Sequence, residues 1–416
     1  MKKTSSMKKN IVLIATILSC FSVFSQTALY KLELATYDLV YDKVTDKIYA
    51  SILSTNGSNG NSIGIINPHT GELEGTVIMG SEPTKLALSD DGKYIYTAFA
   101  GSSSVRRFHV EERQAGLQFP LGYDFIHGPF YAEDIEVMPG QNSTIAVSLQ
   151  SNEGSHIGVA IFDHEIMRPL MNYYSTCNVI EFKDSANLIG FNFSTTAYDL
   201  TYLKVVPEGV SVNSVTANVL TYHAWDFDYH DNRIYGTDGT VAFVAGFPFA
   251  IGKYPGANGP VIYDTYSDHV CYANINGMDN IEFARYFAED FRLLDKYPIA
   301  EATGYPYSIT TCGRGCYAFN TTDYQLFILW LPTLGNIEQA SGQDFKLYPN
   351  PITDKMILKS NQPMKEIEIY NLNGQILHKQ NTNNQVIDFS KFNPGVYFLK
   401  IIDQNGFVYT RKAIRK

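Results

Sequence analysis

A short two-strand unit recurs along the middle of the chain, and it constrains the fold more than any other feature. Each copy has a strand with alternating apolar residues, a polar turn and a second strand that often contains Ile-Tyr. The clearest copy is PTKLALSDDGKYIYTAF, which starts at Pro83. Seven positions align across the copies: Tyr49, Tyr96, Ala146, Ile189, Tyr235, Cys271 and Tyr317. The intervals between them are mostly in the forties, which fits four short strands and their loops. The pattern therefore predicts an all-β fold built as a seven-bladed β-propeller.

The predicted propeller spans residues 26–332, and its first and last copies are expected to share a blade. The last copy contains only three strands and ends near Pro332. Residues 28–35 precede the first copy and have the character of a strand, so we expect them to supply the missing fourth strand. Such an exchange removes the open edges of the ring. Because the third and sixth copies have irregular lengths, a six- or eight-bladed ring is the alternative.

The first 25 residues have the pattern of a removable Sec signal peptide. Lysines at positions 2, 3, 8 and 9 precede an apolar stretch at residues 11–24, and the polar residues Ser25 and Gln26 follow. The apolar stretch is shorter than the roughly 20 residues that a membrane-spanning helix needs. We therefore predict cleavage before Gln26 and no transmembrane span in the mature chain. An N-terminal membrane anchor is the alternative.

Charge and cysteine content limit the partners and the stabilising bonds. The formal net charge is -10, and basic residues are concentrated near the two ends, which leaves the middle of the chain strongly acidic. This balance argues against nucleic acid or an anionic membrane as the main partner. Cys312 and Cys316 flank Gly-Arg-Gly and could face each other across a tight hairpin. We predict a disulfide or two free thiols there, with a metal-binding pair as the less favoured alternative.

One strand carries the best candidate for a metal site. Asp226, Asp228 and His230 alternate along a predicted strand and so project from the same face. Successive members stand about 7 Å apart, which is too far for all three to reach one ion comfortably. A solvated strand face is therefore the preferred interpretation, and no metal ligand is predicted.

Two adjacent carboxylate pairs are the remaining chemical candidates. Glu133 lies beside Asp134, and Asp90 lies beside Asp91 in a turn where Asp commonly bonds the local backbone. The sequence has no nucleophile elbow, zinc-helix motif or phosphate loop. We therefore predict no catalytic residue and no cofactor.

A polar stretch at residues 333–343 reads as a linker, and residues 344–416 begin a new pattern. Short alternating strands are separated there by turns at residues 371–374, 393–395 and 404–406. The pattern alone predicts a small β-sandwich.

The C-terminal segment contains three separately spaced motifs: Tyr348, Pro349, Asn350 and Pro351; Tyr370, Asn371, Gly374 and Gln375; and Pro394, Gly395, Val396 and Tyr397. In these motifs it resembles, over its full length, the type IX secretion system (Por) C-terminal sorting domain of Bacteroidetes. The resemblance implies Sec export to the periplasm and then transit across the outer membrane by the type IX secretion machinery. In that family the domain is commonly cleaved, and the cargo remains on the surface or is released. An ordinary surface adhesion module is the alternative.

The middle of the chain carries a second resemblance. The copy that begins at Pro83, together with Asn-Pro-x-Thr-Gly turns, resembles the YVTN-type repeat of lactonase-like and surface-layer propellers, and the match is good from Asp38 to Val110. Propellers host both enzymes and binding surfaces, so the fold alone does not decide the function.

From these features we predict an exported cell-surface or secreted protein whose propeller binds an extracellular protein or glycan. The alternative is an extracellular enzyme, such as a lactonase-like hydrolase or a lyase, with its site at the mouth of the propeller channel. Acidic residues and histidines that converge at one end of the channel would favour the enzyme. A flat aromatic patch on one face would favour binding.

Overall fold

The computed structural model describes residues 27–173, 177–277, 280–331, 346–359, 364–371, 375–381, 386–403 and 408–416. The predicted signal peptide and linker lie outside these residues. The described chain is all-β apart from a 3-10 turn at Ser54–Asn59. None of its helical segments has the length and apolar character needed to cross a membrane.

Seven antiparallel sheets follow one another between residues 28 and 331, and we number them 1 to 7 in chain order. The chain begins with β1 (Ala28–Glu33); sheet 1 contains β2 (Thr36–Asp42), β3 (Lys47–Ile52), β4 (Ser62–Asn67) and β5 (Glu72–Ile78). Sheet 2 contains β6 (Pro83–Leu88), β7 (Tyr94–Phe99), β8 (Ser104–His109) and β9 (Gln114–Pro120). Sheet 3 contains β10 (Tyr123–Asp124), β11 (Gly128–Val137), β12 (Thr144–Ser151), β13 (His156–Asp163), β14 (Ile166–Met167) and β15 (Asn172–Tyr173).

The remaining sheets of this series repeat the four-stranded order. Sheet 4 contains β16 (Val179–Asp184), β17 (Asn187–Phe191), β18 (Asp199–Val206) and β19 (Gly209–Ala217). Sheet 5 contains β20 (Phe227–His230), β21 (Arg233–Gly236), β22 (Thr240–Phe243) and β23 (Phe249–Lys253). Sheet 6 contains β24 (Val261–Asp264), β25 (His269–Ile275), β26 (Ile281–Phe287) and β27 (Leu293–Pro298). Sheet 7 contains β28 (Pro306–Thr311), β29 (Cys316–Thr321) and β30 (Gln325–Trp330), and β1 completes it.

With sheet 3 counted from β11, the second strands of the seven sheets are buried along most of their length; they are β3, β7, β12, β17, β21, β25 and β29. The seven positions aligned in the sequence all lie on these strands, and each is at most 1% exposed. Such strands read as nearly continuous apolar runs because both of their faces are covered. The fourth strands, such as β5 and β19, are largely exposed, so they form the outer edge of each sheet.

The first strands of the sheets close into a ring. Each contacts the first strand of the next sheet, in the order β2, β6, β11, β16, β20, β24 and β28, and β28 contacts β2 again. At this seam β1 pairs antiparallel with β30, with Ala28 opposite Trp330. The buried Asn320 amide also donates 3.0 Å hydrogen bonds to the backbone oxygen and the hydroxyl of Thr36. Sheet 7 is thus assembled from both ends of this region.

Two further sheets lie in the C-terminal segment. One contains β31 (Lys346–Tyr348), β32 (Lys355–Lys359) and β35 (Val386–Asp388); the other contains β33 (Met364–Tyr370), β34 (Ile376–Asn381), β36 (Gly395–Asp403) and β37 (Val408–Arg415). Met356 and Ile387 from the first sheet share one apolar cluster with Ile369 and Leu399 from the second. The segment therefore has a core of its own.

Candidate functional site

Side chains from the first-strand regions of all seven sheets line one cavity of about 270 Å³ at the centre of the ring. Four of these strands change register at the cavity, and the bulged residues include Tyr37, Asp38, Lys85, Glu133 and Tyr307. A β-bulge turns side chains away from strict alternation. Neighbouring residues such as Tyr37 and Asp38 can therefore both reach the cavity.

Carboxylates dominate the polar lining. They are Asp38, Glu133, Asp134, Glu136, Glu181, Asp226 and Asp228. Among the described residues that line the cavity, Lys85 is the only basic one. The arrangement concentrates negative charge around a single cation.

Lys85 is held between carboxylates from other sheets. Its Nζ lies 3.5 Å from Asp226 Oδ2 and 3.7 Å from Asp134 Oδ1. Burial by itself lowers the pKa of Lys85, but the attraction of Asp226, Asp134 and Asp38 outweighs it and raises that pKa well above its usual range. The lysine therefore carries its positive charge at all physiological pH values.

Asp228, Glu136 and Glu181 have no ion pair to Lys85, the one basic side chain among the described residues that line the cavity. Burial raises the pKa of Asp228 to about 7, and the Asp226 charge adds to that rise. Burial also raises the pKa values of Glu136 and Glu181, which lie among further acidic groups. These three carboxyl groups line the cavity and are otherwise surrounded by protein, so solvent screens their charges weakly. They take up protons at a higher pH than ordinary carboxyl groups.

We expect the protein to become more stable as the pH falls from 8 to 5. A carboxyl group whose pKa is raised in the folded state contributes stability below its unfolded pKa and loses that contribution as pH rises through its folded pKa. For Asp228 this window runs from 3.8 to about 7. Melting temperatures by circular dichroism should rise by a few degrees on acidification, and Asp228→Asn should reduce the rise. The exposed control Asp323→Asn should not, and an unchanged rise in Asp228→Asn would contradict this account.

Three of the aspartates also join neighbouring sheets. Asp38 accepts the backbone N–H of Leu86 at 2.9 Å, which links sheet 1 to sheet 2. Asp134 accepts the N–H of Ile180 at 2.8 Å, and Asp228 accepts that of Tyr263 at 2.7 Å. These bonds link sheet 3 to sheet 4 and sheet 5 to sheet 6. Part of the acidic lining is therefore structural.

Aromatic side chains from three first-strand regions and from the segment after β17 line the cavity together with Lys85. The Tyr37 and Tyr307 rings meet edge to face at 4.9 Å, and the Trp225 ring lies nearly parallel to that of Tyr307 at 6.0 Å. Phe193 contributes a fourth aromatic side chain to the lining. All four are partly exposed. We call Tyr37, Phe193, Trp225 and Tyr307 the aromatic rim.

The structure separates the three residues of the candidate metal strand. Asp226 and Asp228 line the cavity, whereas the His230 ring stacks on Tyr263 at 3.8 Å in a different pocket. No group of three or more His, Cys, Asp or Glu side chains within the described ranges has the arrangement of a metal site. The two carboxylates therefore belong to the cavity without the histidine.

The two carboxylate pairs have different positions. Glu133 and Asp134 both line the cavity. Asp91 accepts the hydroxyl of Ser89 at 2.9 Å within the β6–β7 hairpin turn, whereas Asp90 accepts the N–H of Gly140 at 2.8 Å and so joins this turn to the β11–β12 turn of sheet 3.

The cysteine pair lies at the turn between β28 and β29. Cys312 and Cys316 are joined as a disulfide, with their Cα atoms 4.8 Å apart, and both are fully buried. Within the described residues, Cys177 and Cys271 are buried free thiols.

The motif residues of the C-terminal segment lie around its core. Asn350 Oδ1 accepts the N–H of Ile414 at 2.9 Å, so the opening motif is held against the last strand. The Gln375 N–H donates to Asn371 Oδ1 at 3.0 Å, and the Asn371 N–H donates to the backbone oxygen of Gln375 at 3.1 Å. The remaining described motif residues are exposed or half-buried except Tyr397, which enters the core; Gly374 lies outside the described residues.

Lys85, the aromatic rim and three of the cavity carboxylates, Asp38, Glu136 and Glu181, are not among the candidates that the sequence offers. A charged or polar residue near the start of several first strands, as at Asp38, Lys85, Asp134 and Asp226, is the signal that marks the cavity. The bulges that turn Asp38 and Lys85 toward the cavity have no such signal in the sequence.

Comparisons with solved structures show the fold of the main region. The β-propeller domain of Cps50 (Swd1) from Myceliophteria thermophila matches with a TM-score of 0.55 and 11% identity, over 74% of this chain and 100% of that one. Kuenenia stuttgartiensis hydrazine synthase matches with a TM-score of 0.54 and 14% identity, over 73% and 97%. No curated protein sequence matches at a significant level. At these identities the likeness concerns the fold alone.

A third structure and a family match concern secretion. PorZ of Porphyromonas gingivalis, described as an essential bacterial surface component of the type IX secretion system, matches with a TM-score of 0.50 and 11% identity. The alignment covers 92% of this chain and 59% of PorZ. Residues 346–416 match the family described as the secretion system C-terminal sorting domain. The chain therefore combines a β-propeller-like region with a C-terminal sorting domain of type IX secretion.

Proposed function

We propose that the protein carries a Sec signal peptide at residues 1–25, is sorted by residues 344–416 and works on the cell surface or outside the cell. The family match at residues 346–416 supports this route. We also infer that sheets 1 to 7 are the blades of a seven-bladed propeller and that the two C-terminal sheets form a small β-sandwich. The cyclic contacts between first strands and the shared C-terminal core support these two inferences. The YVTN-type and Bacteroidetes assignments rest on sequence motifs alone.

We propose that the propeller binds a glycan that ends in a neutral sugar, and that this sugar occupies the cavity beneath the aromatic rim. The observation that carries this proposal is the combination of aromatic faces with hydrogen-bonding carboxylates at one opening. Aromatic rings pack against the apolar face of a sugar, and carboxylates accept hydrogen bonds from its hydroxyl groups. At about 270 Å³ the cavity is smaller than pockets that enclose drug-sized ligands, so it would take one sugar unit or one side chain.

Lys85 favours a sugar over a cationic side chain of a protein partner. Its ammonium group already occupies the space between Asp226 and Asp134, and it would repel a second cation. It also neutralises part of the local negative charge, which suits an uncharged ligand. A protein partner that inserts a lysine or arginine remains the competing outcome.

The two tryptophans of the chain provide a direct test. Trp225 lies at the rim, while Trp330 lies at the seam and donates a hydrogen bond to the Pro68 oxygen. Neutral oligosaccharides are titrated into the Trp330→Phe variant, where Trp225 is the remaining tryptophan, and its emission is expected to shift. The same titration of Trp225→Phe should be silent.

Affinity is measured in parallel by calorimetry. We expect Trp225→Ala to bind about 10-fold more weakly, because loss of one aromatic contact costs about 1.4 kcal/mol or less. Trp330→Phe serves as the matched control and should bind normally. Equal responses from both tryptophans, or binding only of lysine-rich peptides, would overturn the glycan proposal.

A further inference from the structure

Four polar side chains meet beside the aromatic rim and form a constellation that the binding proposal does not use. Glu133 comes from the bulge in β11, His156 begins β13, Asn178 precedes β16, and Ser194 follows β17. Glu133 also lines the central cavity. The group therefore lies beside the cavity.

The orientation of Asn178 is fixed by its surroundings. Its Oδ1 accepts the backbone N–H of Phe193 at 2.9 Å, so its Nδ2 is the atom that faces the other side chains. Nδ2 donates to Glu133 Oε1 at 2.6 Å and lies 3.0 Å from His156 Nε2. Because Asn178 is only 2% exposed, water does not replace these contacts.

Asn178 in turn determines which nitrogen of His156 carries the proton. An amide Nδ2 only donates hydrogen bonds, so the Nε2 that it faces must present its lone pair. The proton of the neutral ring then sits on Nδ1, which lies 3.0 Å from Glu133 Oε2. The Nδ1–H bond does not point at Glu133 Oε2, so this contact is not a hydrogen bond. Within the described residues, His156 Nδ1 and Glu133 Oε2 are both buried and have no hydrogen-bond partner. A small ring rotation makes this contact a hydrogen bond, as is common when substrate binds to an unliganded site.

Ser194 completes the arrangement. Its Oγ lies 2.7 Å from His156 Nε2, and the residue is exposed, so a substrate can approach it. The buried Asn192 holds the loop, because its Oδ1 accepts the Ser194 N–H at 3.0 Å and lies 3.2 Å from the Ser194 hydroxyl. A hydroxyl, an imidazole whose Nε2 presents its lone pair and a carboxylate behind Nδ1 are the groups of a serine hydrolase triad.

We propose that Ser194, His156 and Glu133 hydrolyse short carboxylic esters beside the cavity. This activity goes beyond ligand binding and does not depend on it. Ser194 Oγ forms a bond to the ester carbonyl carbon while its proton passes to His156 Nε2. The carbon–oxygen bond to the alcohol breaks, and the alcohol takes that proton. Water then attacks the acyl group, gives a proton to Nε2 and releases the acid, and the proton returns to Ser194. Glu133 acts as a positioning residue.

The expected rate is modest. The backbone N–H groups of Ser194 and Thr195 both face Asn192 Oδ1, so neither is available to stabilise an oxyanion. Loss of one oxyanion donor costs about 10²–10³ in rate. Covalent labelling is therefore a more sensitive test than turnover.

The full mature chain is incubated with a fluorophosphonate probe, and the modified peptides are identified by mass spectrometry. An adduct on Ser194 is expected, with 4-nitrophenyl acetate hydrolysis that Ser194→Ala abolishes. The exposed Ser214→Ala variant is the matched control. We expect His156→Gln to slow labelling by about 100-fold or more, since a positioned general base supplies about 10²–10⁴.

Two further variants separate this proposal from simpler explanations. Glu133→Gln should slow labelling of Ser194 and Glu133→Asp should restore part of the rate, because the imidazole needs a carboxylate beside Nδ1 to hold its orientation. The exposed Ser214→Ala variant should retain labelling of Ser194, and calorimetric titration with neutral oligosaccharides is scored separately, so failure of glycan binding is distinguishable from failure of hydrolysis. The proposal is overturned if Ser194 is labelled no faster than Ser214, or if a folded His156→Gln variant is labelled at the original rate.

Discussion

Protein that lacks residues 344–416 is expected to accumulate in the periplasm, whereas the full chain reaches the cell surface or the medium. The reason is that residues 346–416 match the sorting domain, while the predicted Sec signal lies at the opposite end of the chain. The first step of export should therefore survive the deletion and the second should fail. Cell fractionation and mass spectrometry of the periplasm, the outer membrane and the culture fluid measure the distribution.

The truncation experiment requires a control for folding of the shortened protein. The C-terminal segment has its own apolar core, so its removal should leave sheets 1 to 7 intact. Protease resistance and the melting temperature of residues 26–343 provide that control. If a folded truncated protein appears outside the cell as efficiently as the full chain, the segment is a binding module and not the export signal.

Lys85→Met should cause the largest loss of stability of any single substitution in the cavity. Methionine removes the positive charge but keeps a long apolar side chain, and it leaves Asp38, Asp134 and Asp226 facing one another. Breaking a buried ion pair by removing one partner costs roughly 3–5 kcal/mol, because the remaining charges are uncompensated. Asp226 is 31% exposed, so we expect a value near the lower end of that range.

Denaturant unfolding at two pH values tests the electrostatic cause. At pH 5 the crowded carboxyl groups bind protons more readily, so the free energy lost in Lys85→Met should be smaller than at pH 8. Adding Asp226→Asn to Lys85→Met should restore part of the stability, and the exposed control Lys204→Met should change little. A loss that is equal at both pH values would indicate a packing defect instead.

The repeat was readable from the sequence because its physical cause is local. Tyr49, Tyr96 and Tyr235 occupy the same third position of a buried strand that follows a tight turn, so the same residue types recur at similar spacing. Such regularity yields the propeller fold and the strand order within each sheet. The C-terminal motifs are equally local, since Tyr397 and its neighbours lie on single strands or turns.

The cavity could not be predicted in the same way, because its residues meet only when the ring closes. Lys85 lies some 50 residues from Asp134 and about 140 from Asp226, and a bulge places it in the cavity. Ser194 and His156 are likewise brought together by different sheets. Alternation along one strand predicts that Asp226, Asp228 and His230 share a face, but in the ring the histidine lies in a different pocket from the aspartates.

The pairing of β1 with β30 has a consequence for how the protein is made. These strands are about 300 residues apart in sequence, and closing a loop of that length costs about 5 kcal/mol of chain entropy. During synthesis, β1 emerges early and has no partner until β30 arrives. The ring thus completes only when the whole propeller sequence is present, and a prematurely terminated chain keeps an open edge that quality-control proteases can recognise.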